Sequence, residues 1–103
     1  MSKHAVLGLV RCASKGLGEY GIRVNCVSPG PVATPLTCDA FQMSAEDVER
    51  SFEADFAIKK SGFLKAKNVA DAVLFLASDD AQFITGHNLA VDAGYVPSNT
   101  LKF

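Results

Sequence analysis

Ten consecutive residues carry the most informative pattern of types and spacing in the chain: Asn25-Cys26-Val27-Ser28-Pro29-Gly30-Pro31-Val32-Ala33-Thr34. The β-rich run Ile22-Arg23-Val24 leads into them, and Pro-Gly-Pro breaks it. Pro29 has no N–H to give to a sheet, and Gly30 tolerates backbone angles that other residues avoid. A strand must therefore stop and turn here. In an open α/β sheet the carboxyl end of a strand is where ligands bind. The same residues also suit an ordinary strand-ending turn.

Ala13-Ser14-Lys15-Gly16-Leu17-Gly18 imitates a glycine-rich phosphate loop. Such a loop needs a strand before it and a helix after it, whose N-terminal amides hold the phosphates. Here a helix-period segment comes first and a strand follows, so the glycines read as a helix end. Cys12, Cys26 and Cys38 are odd in number and contain no Cys-x-x-Cys pair. They read as small core or loop residues in a reducing compartment, with neither a disulfide framework nor a zinc site. His4 and His87 lie far apart with no motif around them, and no metal site is expected.

The elements that must position the Pro-Gly-Pro turn alternate in type. From His4 to about Tyr20, Val6, Val10, Ala13, Leu17 and Tyr20 share one helical face, and Gly21 is a C-terminal stop. Gly8 and Gly16 weaken such a helix by roughly 1 kcal/mol each against Ala, so close packing on a neighbouring backbone is expected there. Residues 22–28 read as a strand and 29–43 as a loop. Ser44-Ala45-Glu46-Asp47 has the form of a capping box and opens a helix with Val48, Phe52 and Phe56 on one side, broken at Ser61-Gly62. Residues 68–78 form a further helix with Val69, Val73 and Leu76 facing one way. Thr85-Gly86 turns the chain into a short strand over 88–91, closed by Asp92-Ala93-Gly94. The tail after Tyr95 has no periodicity. This alternation predicts an α/β fold with a parallel sheet.

Composition sets the outer bounds. At 103 residues the chain makes at most one small domain. It is 49% hydrophobic with a net charge of −1, which suits a soluble globular protein and argues against disorder. Near-neutral charge gives no reason to expect nucleic acid or an anionic membrane as partner. Lys59-Lys60 and Lys65-Lys67 read as solvated charges. No apolar run approaches the length of a membrane span, and the start has no secretory h-region; the expected compartment is cytoplasmic.

Several separated blocks, in order, resemble the C-terminal part of the short-chain dehydrogenase/reductase family. Asn-x-Val-x-Pro-Gly-x-Val-x-Thr is similar to the family's nicotinamide-side loop. Ser2-Lys3-His4-Ala5-Val6-Leu7-Gly8-Leu9 resembles the start of the long helix after the catalytic tyrosine, where the family reads Tyr-x-x-x-Lys. Gly18-Glu19-Tyr20-Gly21-Ile22-Arg23-Val24-Asn25 resembles the run into the sixth strand. Val69–Asp79, Phe83-Ile84-Thr85-Gly86 and Val91-Asp92-Ala93-Gly94-Tyr95 resemble the closing helix and seventh strand. The closest resemblance is to plant secoisolariciresinol-dehydrogenase-like and xanthoxin-dehydrogenase-like members.

The resemblance implies the last two strands, with their helices, of a Rossmann-type doubly wound parallel sheet. Residues 1–103 would form a partial domain with a substrate loop over 35–63. Lys3 takes the position of the catalytic lysine, which in the family binds the nicotinamide ribose and eases ionisation of the tyrosine phenol. Pro29, Gly30, Val32 and Thr34 take the positions of the cofactor loop. There the Val32 backbone would bond the nicotinamide carboxamide, and the Thr34 hydroxyl the carboxamide or a phosphate oxygen. Phe41, Met43, Phe52 and Phe56 suit either an apolar substrate pocket or packing, and packing is preferred for Phe52 and Phe56. Asp92 and Gly94 read as a strand-end turn. A lone lysine in a first helical turn is also an ordinary surface residue, and that reading of Lys3 stays open.

Counting four residues back from Lys3 passes Met1, so the family's tyrosine, serine and glycine-rich loop would all lie before the first residue. The expected function is the C-terminal portion of an NAD- or NADP-dependent oxidoreductase acting on a secondary alcohol or ketone, inactive as this chain and weak in cofactor binding. The alternative is a non-catalytic fragment that associates with full-length subunits or forms a homo-oligomer. With a neighbouring strand lost, one edge of strand 22–28 should be unpaired, and the faces around Val6, Val10, Val69 and Val73 partly exposed.

Overall fold

The computed structural model describes residues 3–58 and 62–95. The expectations placed on Lys59-Lys60, Ser61 and the tail after Tyr95 lie outside the described residues. In chain order the elements are α1 (Lys3–Leu17), a 3-10 turn (Gly18–Tyr20), β1 (Cys26–Pro29), α2 (Pro35–Phe41), α3 (Ala45–Glu53), α4 (Ala66–Ala77), a second 3-10 turn (Asp79–Ala81) and β2 (Asn88–Val91). β1 and β2 form a two-stranded sheet. The Cys26 N–H donates to the His87 carbonyl at 2.9 Å and the Gly30 N–H to that of Val91 at 3.0 Å. The sequence offset is the same in both, so the strands run parallel, as α/β connections require. The fold is α/β and corresponds to part of a Rossmann-type domain.

The chain forms two compact units, one of residues 1–28 and 70–90, the other of 29–69 and 91–103. In the first, α1 ends where expected: Gly21 adopts a left-handed φ of 73° and its N–H donates to the Gly18 carbonyl. Val10 and Ser14 are buried on α1, with Leu76 and Ala81. Ser14 lies against the turn at Gly86. A β-carbon there would fall 2.7 Å from Ser14 Oγ, and φ is +69°, so both space and backbone select glycine.

The end of α4 is tied down by Arg23. Its guanidinium donates to the carbonyls of Leu76 at 2.6 Å, Ser78 at 3.2 Å and Ile84 at 3.4 Å. These include carbonyls that the helix terminus leaves without intrahelical partners. Asn25 continues the same work: its Nδ2 donates to the Ile84 carbonyl at 2.9 Å, and its Oδ1 accepts from the His87 N–H at 3.0 Å.

In the second unit, Ser44 caps α3 as the sequence implies, accepting from the Asp47 N–H at 3.2 Å. Val48 is fully buried and Phe56 nearly so. Phe56 packs on Phe63 and Tyr95, with ring centroids at 4.7 and 5.9 Å; Phe52 meets Phe41 and Tyr95, both at 6.0 Å. Lys65 pairs with Glu49. The Ala93 carbonyl accepts from the N–H groups of both Ala57 and Ile58, at 2.9 and 3.1 Å, fastening the segment after α3 to the end of β2.

Several sequence expectations are corrected. Residues 29–43 are not all loop, because Pro35–Phe41 form α2 with Thr34 as its N-cap. Pro35 at the first position supplies a helical φ at a site that needs no N–H donor. α3 ends at Glu53, well before Ser61-Gly62. α4 begins at Ala66, two residues before Asn68, whose Oδ1 accepts from the Lys65 N–H at 2.8 Å as the returning half of a capping box. β1 begins at Cys26 and not at Ile22: Val24 instead exchanges bonds with the Thr85-Gly86 turn, through Thr85 Oγ1 at 3.0 Å and the Gly86 N–H at 2.7 Å. Gly8 and Gly16 are not forced by a neighbouring backbone, since nothing described lies within 4 Å of a β-carbon at either.

The expected apolar faces are only partly open. Val6 is 39% exposed and Val73 51%, whereas Val10 is buried and Val69 half-buried. Tyr20, placed on the buried side of α1 by periodicity, is exposed.

Candidate functional site

β1 delivers the chain to Pro29 and stops, and residues between Pro29 and Thr37 form one wall of a cleft of about 380 Å3. The Pro29–Val32 turn, Thr34 and Thr37 form that wall; Ala66 and Val69 of α4 face it. Gly30 is required where it stands. A β-carbon there would sit 2.9 Å from Cβ and 3.0 Å from Cα of Asp92, while the Gly30 N–H still completes the strand ladder. The sequence pointed to conformational freedom at Gly30; the structure assigns its need to close approach.

Beyond Gly30 the backbone makes a tight three-residue turn, with the Thr34 N–H donating to the Val32 carbonyl at 2.9 Å. The Val32 N–H has no protein partner among the described residues. Thr34 Oγ1 accepts from the Thr37 N–H at 3.2 Å and lies 3.1 Å from Thr37 Oγ1. The cleft is thus lined by two threonines whose hydroxyls pair and by apolar surface from proline, valine and alanine. Its size is within the range of small-molecule sites. No group of three or more His, Cys, Asp or Glu that could hold a metal occurs among the described residues.

Pro29, Gly30, Val32 and Thr34 are therefore brought together. Lys3 opens α1 in the first unit, and its side chain lies outside the described residues. Sequence reasoning missed Thr37, Ala66 and Val69. The signal for Thr37 was Thr34-Pro35, an N-cap followed by proline at the first helical position, which places Thr37 one turn on. Asp92 and Gly94 form a turn as expected, the Gly94 N–H donating to Asp92 Oδ1 at 3.0 Å. Phe52 and Phe56 pack in the aromatic cluster. Gly16 and Gly18 sit in the end of α1 and the following 3-10 turn, with no strand ahead of them.

A parallel αβ unit with a ligand-sized cleft at a strand's carboxyl end defines the class, and comparison with known proteins supplies the family. The family model described as Enoyl-(Acyl carrier protein) reductase matches residues 1–96. Short-chain dehydrogenase reductase 3b of Arabidopsis thaliana is 55% identical over 94 residues, covering 91% of this chain and 36% of that protein. The mitochondrial (-)-isopiperitenol/(-)-carveol dehydrogenase of Mentha piperita is 56% identical over 94 residues, 91% of this chain and 35% of its own length. Among solved structures, 4-hydroxyisoleucine dehydrogenase complexed with NADH superposes with a TM-score of 0.74 at 31% identity, covering 91% of this chain and 37% of that one. The chain belongs to the short-chain dehydrogenase/reductase family, and it resembles plant members. It spans about a third of the length of the curated relatives it matches.

Proposed function

We propose that this chain is the C-terminal portion of an NAD(P)(H)-dependent oxidoreductase acting on a secondary alcohol or ketone, and that it supplies the nicotinamide side of the cofactor site. The observation that carries this reading is one cleft lined by Pro29, Gly30, Val32 and Thr34, in which Val32 has an N–H without a partner among the described residues and Thr34 pairs its hydroxyl with that of Thr37. These groups fit a nicotinamide carboxamide, which both donates and accepts hydrogen bonds. A bound nicotinamide supplies hydride chemistry. The residues of this chain would contribute its placement: Val32 and Thr34 would hold the carboxamide, and Pro29, Pro31 and Val69 would supply apolar lining. By its position in the family motif, Lys3 would take the role of holding the ribose and favouring ionisation of the family's tyrosine.

No Tyr-x-x-x-Lys motif occurs within the 103 residues. Hydride transfer needs that phenol and a hold on the diphosphate as well as the nicotinamide, so the isolated chain is inactive in this account. Its dinucleotide affinity should be weaker than about 1 mM, corresponding to roughly 4 kcal/mol. NAD and NADP are not distinguished by the cleft. The proposed compartment is cytoplasmic, in keeping with three free cysteines. Calorimetric titration with NADH and NADPH, alongside an assay against secondary alcohols, tests the reading. Micromolar binding or reproducible turnover would overturn it.

A second reading, association with full-length subunits or with another copy, is favoured by a separate observation. β1 pairs only with β2 among the described residues, and an open groove of about 710 Å3 beside it is lined by Arg23, Val27, Val73 and Leu76. A strand edge next to apolar surface is a template for a further chain.

A further inference from the structure

We propose that the open edge of β1 pairs with the same edge of a second copy, antiparallel about a two-fold axis, with Asn25 of each copy facing Val27 of the other. This rests on the association reading above and names its partner. The backbone shows which groups are available. Val24, Cys26 and Gly30 spend theirs on β2 and the turn before it. The Gly86 N–H donates to the Val24 carbonyl, the Cys26 N–H to that of His87 and the Gly30 N–H to that of Val91. Backbone groups alternate between the two edges of a strand. Those of Asn25, Val27 and Pro29 therefore point the other way, where no pairing occurs among the described residues. Pro29 has no N–H to give.

Asn25 and Val27 thus offer this edge both a donor and an acceptor each. When Asn25 faces Val27 of the other copy, twice over, each facing pair exchanges both bonds and every N–H of the four residues is used. The edge is complementary to itself, as a closed two-fold contact requires, and two sheets of two strands join into one of four. Val27 lines the groove beside Val73 and Leu76, so the pairing also sets two apolar faces side by side. Arg23 of one copy falls opposite Pro29 of the other, which keeps the two Arg23 positions about 20 Å apart at the strand rise per residue. Cys26 falls opposite Cys26 at the axis, in a non-hydrogen-bonded pair with Cα atoms about 4.5 Å apart. A disulfide spans that distance.

Oxidation of the 103-residue chain with diamide, which takes up the two thiol protons and two electrons, followed by peptide mapping, reads the register directly. The expected product is a dimer joined Cys26 to Cys26, although Cys12 is the more exposed thiol. Without oxidant, sedimentation velocity should show a reversible dimer. Val27→Pro removes the outward N–H and leaves the β1–β2 ladder intact. It should weaken the dimer by about 10- to 100-fold with circular dichroism unchanged, and Val27→Ala, which keeps the N–H, by less. The disulfide map needs no variant and decides the case if Val27→Pro fails to fold. Crosslinks confined to Cys12 or Cys38, or a folded Val27→Pro that associates like wild type, overturn the edge pairing and leave association through another surface standing. A monomer at every concentration overturns this proposal and the association reading together, and leaves the cofactor reading untouched.

Discussion

The backbone at Gly30 passes Asp92 so closely that a β-carbon on Gly30 would lie 2.9 Å from Asp92 Cβ and 3.0 Å from Asp92 Cα. The atoms in the way include backbone, so no rotamer change relieves the clash. At the same point the Gly30 N–H holds the Val91 carbonyl. The turn that carries Val32 and Thr34 is thus pinned to the end of β2. Gly30→Ala should force the strands apart and cost about 1–3 kcal/mol, as overpacking does. In a domain of this size each kcal/mol lowers the thermal midpoint by about 4–8 °C. An unchanged midpoint by circular dichroism would show that the turn yields freely.

Arg23 spans three carbonyls at the end of α4 and the segment after it. Hydrogen bonds to a charged donor contribute about 1.5–3 kcal/mol, so Arg23→Met should lower stability by about 2 kcal/mol in urea unfolding. Arg23→Lys should recover only part of this, because a single ammonium does not reproduce the planar fork. Full recovery by lysine would mean that charge alone matters there.

Phe56 and Phe83 are the same residue type in opposite surroundings, 3% and 93% exposed. Phe56→Ala opens a cavity between Phe63 and Tyr95 and should cost about 3–5 kcal/mol. Phe83→Ala should stay within about 0.5 kcal/mol. Comparable losses at both sites, measured by denaturant unfolding, would contradict the packing described.

Features set by local chemistry were legible in the sequence. Gly21 stops α1, Ser44 caps α3, and β2 spans 88–91 as its flanking turns imply. Pro29, Gly30, Val32 and Thr34, which the resemblance singles out, line one cleft. What escaped depends on distant partners or on short elements. α2 has seven residues, too few for a helical period to show, and its only signal was Thr34-Pro35. The residues before Cys26 are β-rich, but Val24 spends its backbone bonds on the Thr85-Gly86 turn. Gly8 and Gly16 suggested close packing, yet no part of the described chain covers them. Thr37 acquires meaning only when α2 sets it one turn beyond Thr34.

The open edge of β1 and the exposure of Val73 predict association of the isolated chain. Sedimentation velocity should show mass rising with concentration. A compact monomer at every concentration, with a cooperative thermal transition, would count against the second reading.

Joined to the rest of such an enzyme, these residues should complete a family active site. The direct measurement replaces the matching 94-residue segment of the Mentha piperita dehydrogenase with this chain. NAD(P)-linked oxidation is then assayed on (-)-carveol and a panel of secondary alcohols. The account predicts turnover by the chimera, loss by orders of magnitude on Lys3→Ala, and none from the chain alone. A folded chimera without activity, a chimera indifferent to Lys3→Ala, or turnover by the isolated chain would contradict it.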